Sequence, residues 1–175
     1  IYQECLEIEL RYLGIPFVAQ QDLNVTYRGE TLEHTIAKAW IDIVSLPVVE
    51  VFDTAEGPVG YYVMDKFVET TKAELDGAYE QFKAAGADTV IIDLRYNGGG
   101  LISVAARTIS LSLGADHGGE LSYQILFNDF LADENSSADI DNLDDSIGAD
   151  EIIVLVSGRT LSASELVINA LFPYA

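Results

Sequence analysis

Apolar and polar positions change their spacing several times along this chain. Tyr2, Leu6, Ile8, Leu10 and Leu13 recur near helical spacing, and Gly14 suits a stop, so residues 1 to 14 are predicted to form a helix. Two extended stretches follow, Asn24–Arg28 and Thr31–Ile43, with Arg28-Gly29-Glu30-Thr31 as the turn between them. Val48–Phe52 and Gly60–Phe67 form a predicted hairpin around Thr54-Ala55-Glu56-Gly57-Pro58. Leu75, Ala78, Tyr79, Phe82 and Ala85 then line one face of a helix that Gly86 ends. Thr70 or Thr71 caps its start, and Glu74 stands where a capping box anchored on Thr71 requires it. A strand at Thr89–Leu94, a glycine-rich bend and a helix at Ile102–Leu113 come next. Tyr123–Phe127 reads as a strand, and Ala132–Asp145 as a polar, exposed excursion. The apolar run Ile152–Val156 is the last strand, and a helix starts at Ser162.

Strands alternate with helices, and the strands are apolar on both faces. That pattern predicts an α/β architecture whose sheet is covered by helices. The hydrophobic fraction of 49% marks a globular chain rather than a disordered one. A length of 175 residues permits one domain, or one domain with a remnant of another. The formal net charge of −20 argues against nucleic-acid binding, since phosphates would be repelled. Eleven acids between Asp116 and Glu151 have no Lys or Arg among them. Asp139, Asp141, Asp144 and Asp145 raise the idea of calcium, but the central Gly and spaced Glu of an EF-hand loop are missing, which favours a solvated acidic loop. Cys5 is alone, so neither a disulfide framework nor a Cys-based metal site is available, and it reads as a small buried hydrophobe on the first helix. No membrane-spanning run, signal peptide or lipobox is visible, which says nothing of export for a piece of a longer chain.

Two segments carry candidate chemistry. The first, Ser157-Gly158-Arg159-Thr160-Leu161-Ser162-Ala163-Ser164-Glu165, follows the last strand and places a hydroxyl at a helix start. Ser162-x-x-Glu165 is a capping box, and a serine there can also be a nucleophile whose oxyanion is held by helix N-terminal amides. The second is Val90-Ile91-Ile92-Asp93-Leu94-Arg95-Tyr96-Asn97-Gly98-Gly99-Gly100-Leu101, an apolar strand running into three glycines. Such glycines allow positive φ and close backbone approach, and leave amides free to bind an anion. A phosphate loop is excluded, because no Gly-Lys-Ser/Thr follows and the Gly-x-Gly-x-x-Gly spacing is absent. A simple tight turn remains open.

Together, and in this order, the segments resemble the S41 family of serine peptidases, the C-terminal processing and tricorn-core group. Asp93-Leu94-Arg95-Tyr96-Asn97-Gly98-Gly99-Gly100 matches its "DLRxNxGG" strand end, and Thr160-Leu161-Ser162-Ala163-Ser164-Glu165 its nucleophile segment. Leu161 replaces the usual small residue. Glu165 to Leu171 looks closest to the Bacteroidetes-type branch, and Val59 to Phe67 resembles the opening of the catalytic domain. The resemblance implies a ClpP/crotonase-like spiral domain over residues 46–175, incomplete at its C-terminus, preceded by a partial PDZ-like or linking region at residues 1–45. It implies Ser162 as nucleophile, with the oxyanion held by the Ala163 amide and one at Gly99 or Gly100, the family pattern favouring Gly100.

The family uses a Ser-Lys dyad, with its lysine shortly beyond the nucleophile helix. Lys38, Lys66, Lys72 and Lys83 all precede Ser162, so the base is expected outside this chain and the 175 residues alone are expected to be inactive. His34 and His117 are the only imidazoles, and a Ser-His pairing is the less favoured alternative. The resemblance further implies polypeptide substrates bound in extended form, no cofactor or metal, and an envelope, periplasmic or extracellular setting. Asp93 and Arg95 are expected to fix the strand end, Asn97 to orient the glycine bend and Ser164 to support the first helical turn. Trp40, Tyr61, Tyr62 and Tyr96 read as core or groove wall. A non-catalytic, peptidase-like peptide-binding module is the rival reading. A crotonase-like acyl-CoA enzyme is a weaker one, which leaves the Ser162 segment unexplained.

Overall fold

A computed structural model describes residues 22–27, 30–35 and 44–174. The chain divides into two compact units, Ile1–Asp42 and Ile43–Ala175. In the first, strands β1 (Asp22–Tyr27) and β2 (Glu30–Thr35) pair antiparallel, with Asp22 opposite Thr35 and Tyr27 opposite Glu30. The helix expected at residues 1–14, with Cys5 on it, lies outside the described residues. So do Trp40 and most of the second half of the extended stretch Thr31–Ile43.

The second unit is built on a four-stranded sheet in the order β3-β4-β5-β8. β3 (Val48–Asp53) and β4 (Pro58–Val63) form the antiparallel hairpin expected from the sequence. β4 pairs parallel with β5 (Thr89–Asp93), and β5 pairs parallel with β8 (Glu151–Leu155). Helix α1 (Thr71–Ala85) connects β4 to β5. Helix α2 (Ile102–His117) and the antiparallel pair β6 (Leu121–Ile125) and β7 (Ser136–Asp139) connect β5 to β8. Helix α3 (Ala163–Leu171) follows β8. This is a mixed α/β unit in which every parallel pair needs a long crossover.

The register sets the core. Gly60, Val90 and Ile152 lie side by side across β4, β5 and β8, as do Tyr62, Ile92 and Val154. These positions share the face that meets Leu75, Tyr79, Phe82, Val104, Ile109 and Val167 from the helices, all fully buried. Tyr62, Tyr79 and Phe82 form one aromatic cluster, with ring centroids 5.4 to 6.3 Å apart. The other face differs from expectation. Phe52 and Ile153 are 48% and 39% exposed, and Val59, Tyr61 and Ile91 are half-buried, so helices of this unit cover one face only.

Three local readings need correction. Glu74 does not close a capping box on Thr71. Its carboxylate instead accepts the N–H groups of Ser45 (2.9 Å) and Leu46 (2.8 Å), tying the entry of the unit to α1. The predicted strand Gly60–Phe67 ends at Val63, and Phe67 makes an isolated parallel bridge to Gly100 instead. Finally, only part of the acidic excursion is loose on the surface. Ile140 is buried in the core, and Ser146 Oγ donates to the Ser110 carbonyl of α2 at 2.8 Å. A side chain at Gly114 would collide with the Asp141 carbonyl, so a glycine there lets the excursion lie directly on α2. The exposed part is the β6–β7 tip, where Leu126 and Phe130 face solvent.

Candidate active site

β5 and β8 are adjacent and parallel, so the segments that follow them emerge side by side at their C-terminal ends, where open α/β sheets bind ligands. The two chemistry-bearing segments of the sequence are those segments. They are stitched together by many bonds. Leu94 N–H donates to the Leu155 carbonyl (2.9 Å), and Thr160 Oγ1 donates to the Leu94 carbonyl (2.7 Å). Ser157 Oγ donates to the Arg95 carbonyl. Ser164 Oγ and Leu161 N–H both donate to the Asn97 carbonyl, at 3.1 and 3.3 Å. Ser164 is fully buried, so its hydroxyl serves this crossing tie rather than the first turn of its own helix.

Ser162 sits at the bend between β8 and α3 with φ 56° and ψ −119°. Among the described residues it is the one non-glycine with positive φ. A serine in that region is strained by on the order of 1–3 kcal/mol and persists only when its surroundings over-determine it. Glu165 does part of this, accepting the Ser162 N–H at 2.7 Å. The Ser162 hydroxyl faces the Glu165 N–H in capping-box relation but closes no cap hydrogen bond, and the side chain is exposed.

The glycine bend lies directly against this turn. A Cβ on Gly99 would stand 2.7 Å from Ser162 Cβ, 2.8 Å from the Leu161 carbonyl oxygen and 2.9 Å from the Ala163 nitrogen. Gly99 and Gly100 have φ of 96° and 148°, and a Cβ on Gly100 would collide with the Phe67 carbonyl. Only glycine fits either place. The bend is pinned on its far side by Leu101 N–H donating to the Phe67 carbonyl at 2.8 Å. Gly99 N–H donates to Asn97 Oδ1 at 2.8 Å and is therefore occupied. The N–H groups of Gly100 and Ala163 have no acceptor among the described residues. Ser162, Gly99, Gly100 and Ala163 are thus brought together, and of the two glycines Gly100 keeps its donor free.

Asp93 ends β5 and is 1% exposed. Arg95 grips it through Nε (2.9 Å) and Nη2 (2.6 Å), while Tyr61 Oη donates to it at 3.1 Å. The Arg95 hydrogen bonds outweigh burial and hold the Asp93 carboxyl below the ordinary aspartate range. Desolvation, then the bond to Asp93, raises the Tyr61 hydroxyl, and the Arg95 guanidinium is likewise raised by Asp93. Tyr96 is exposed, with the Arg95 guanidinium 5.9 Å from its ring centroid. On the flank of the Ser162 turn, Val156, Ser157, Thr160, Glu165, Ile168 and Asn169 line an open cleft of about 320 Å³. His117 is engaged elsewhere, its Nδ1 3.2 Å from Glu120 Oε1 and its ring against Tyr174. Lys72 pairs with Glu69, and Lys83 donates to the carbonyls of Asp144 and Ser146.

The ties made by Ser157, Thr160 and Ser164 are not predictable from spacing alone, although the density of hydroxyls in Ser157–Ser164 is the signal that was present. Fold and site together define an α/β unit with a serine on a strained strand-to-helix bend and unpaired amides beside it. Comparison with known proteins narrows this. The model of peptidase family S41 matches residues 58–172. The chain belongs to that family. A second model, for the PD-(D/E)XK nuclease superfamily, matches residues 1–51, under a third of the chain. A carboxyl-terminal-processing protease from Picosynechococcus sp. (strain ATCC 27264 / PCC 7002 / PR-6) is 31% identical over 132 residues, which is 74% of this chain and 30% of that protein. A crystal structure assigned as an S41 protease from Bacteroides fragilis NCTC 9343 superposes with a TM-score of 0.70 at 20% identity, over 89% of this chain and 44% of that one. The photosystem II D1 C-terminal processing protease gives 0.59 at 21% identity, over 82% and 37%. The chain therefore spans about a third of the curated relative and less than half of either solved structure.

Proposed function

We propose that this chain is the nucleophile-bearing part of a serine endopeptidase acting on polypeptides. Ser162 Oγ attacks the carbonyl carbon of a peptide bond, and a lysine outside this chain accepts its proton. The tetrahedral oxyanion is held by the N–H groups of Gly100 and Ala163. Collapse breaks the C–N bond, and the proton passes to the departing amine. Water then hydrolyses the acyl-serine ester and regenerates the hydroxyl. One oxyanion donor of this kind contributes about 3 kcal/mol to lowering the barrier.

The observation that carries this reading is the strained backbone of Ser162, seated against the glycine bend with free amides on either side. A cap alone needs no such strain. We take the second unit as part of a ClpP/crotonase-like spiral domain. We take residues 1–45 as a linking or partial PDZ-like region, and the setting as envelope, periplasmic or extracellular. The test is made on the complete protein that carries this chain. Ser162→Ala is expected to abolish peptide hydrolysis and covalent capture by a serine-reactive phosphonate, with folding retained. Hydrolysis that survives in folded Ser162→Ala overturns the assignment. A complete protein that binds extended peptides but never cleaves them supports the binding module instead.

A further inference from the structure

We propose that Asn97 is a positioning residue that selects which amide of the glycine bend faces the reacting carbonyl. This rests on the peptidase reading above. Asn97 is fully buried and holds four pieces of backbone at once. Its Nδ2 donates to the Met64 carbonyl just beyond β4 (2.9 Å), and its Oδ1 accepts the Gly99 N–H (2.8 Å). Its own carbonyl accepts from Leu161 N–H and Ser164 Oγ, the residues before and after the Ser162–Ala163 pair. The fourth piece is its own turn, closed by Asn97 N–H donating to the Leu94 carbonyl at 3.1 Å.

The bend itself has little to define its shape. Gly98, Gly99 and Gly100 have no side chains to lock it, and glycine visits positive and negative φ with similar ease. Each glycine carries an N–H able to stabilise an anion. Asn97 Oδ1 removes Gly99 from that competition, while Phe67 N–H, donating to the Gly99 carbonyl at 3.4 Å, holds the next peptide plane, the one that carries the Gly100 N–H. Its carbonyl, fastened to both sides of Ser162, sets the same bend at a fixed offset from the hydroxyl. Exclusion of Gly99 as a donor, and the offset of the bend from the nucleophile, are therefore controlled by one side chain and one carbonyl of a residue that touches no substrate.

The experiment uses the complete protein carrying this chain, in wild-type, Asn97→Ala, Asn97→Asp and Ser162→Ala forms. Amide hydrogen exchange is read by NMR at Gly99 and Gly100, and kcat and KM are read on one peptide substrate. Asn97→Ala is expected to speed exchange at Gly99 on the order of tenfold, the loss of one hydrogen bond, and to leave the already free Gly100 N–H fast. It is expected to lower kcat about 10²-fold, the scale of an ångström of misplacement, with KM little changed. Asn97→Asp keeps an acceptor for Gly99 and loses the donor to Met64, so it is expected to restore slow exchange at Gly99 and part of kcat. This variant decides the matter if Asn97→Ala does not fold.

Unchanged Gly99 exchange in folded Asn97→Ala overturns the proposal. So does faster exchange with unaltered kcat in a protein that Ser162→Ala inactivates. Equal loss of kcat in the Ala and Asp variants, with Gly99 protected in the latter, also overturns it. Full activity of Ser162→Ala sinks the peptidase reading and the catalytic half of this proposal together, while the exchange measurements still decide the hydrogen bonding.

Discussion

At the scale of single residues, the site depends on charge and strain held in place by near neighbours. Ser162 is kept in its unfavourable backbone region by Glu165 on one side and the glycine bend on the other. Asp93 is kept ionised beneath them by Arg95 and Tyr61. The folded chain holds this carboxyl below its unfolded value, so the group contributes stability above the ordinary aspartate pKa of about 3.9. That contribution is lost as pH falls through the depressed value. Arg95 is about half exposed, so solvent screening keeps the effect modest. Thermal melts at descending pH are expected to show Arg95→Met and wild type converging in acid and separating toward neutrality. A difference that stays constant through the acid range would show that Asp93 is not the group responsible.

Among the elements, β4 and α1 fit closely. A Cβ on Gly60 would lie 2.7 to 2.9 Å from the ring of Phe82, which is fully buried. Gly60→Val is therefore expected to destabilise the unit by about 1–3 kcal/mol, as overpacking does. Urea denaturation measures this, and a midpoint equal to wild type would mean that the ring can withdraw. Much of this layer was readable beforehand. Leu75, Ala78, Tyr79 and Phe82 do face the core, and Gly86 does end α1 with φ 71°. These features are local, and local periodicity reports them. The role of Glu74 is not legible in the sequence because its partners, Ser45 and Leu46, lie 29 and 28 residues away, and a capping pattern carries no sign of such a rival. Val63 ends β4 because its neighbour β5 gives way to the Asp93 turn, a tertiary fact with no composition signal. The acids of the excursion after α2 read as an exposed loop, whereas Ile140 and Gly114 are the residues that anchor it.

For the whole molecule, charge is the dominant feature, with twenty-nine acids against nine bases. Self-repulsion destabilises a compact state of such composition, and added salt screens it. The melting temperature is expected to rise from low to moderate sodium chloride, and a fall over that range would show that local ion pairs such as Arg107–Asp76 outweigh the general field. The pairing of the two motifs could be read from the sequence because the family resemblance placed them in order. Their fastening could not, since Thr160 reaches Leu94 across 66 residues and Ser164 reaches Asn97 across 67. That long-range closure has a consequence for biosynthesis. A ribosome that has delivered everything through the glycine bend has made one side of the site, with no hydroxyl opposite it and without the Leu161 and Ser164 ties to the Asn97 carbonyl. On the proposed reading, cutting power cannot precede the docking of the Ser162 turn on the glycine bend, so synthesis of the first motif alone leaves no nucleophile in place.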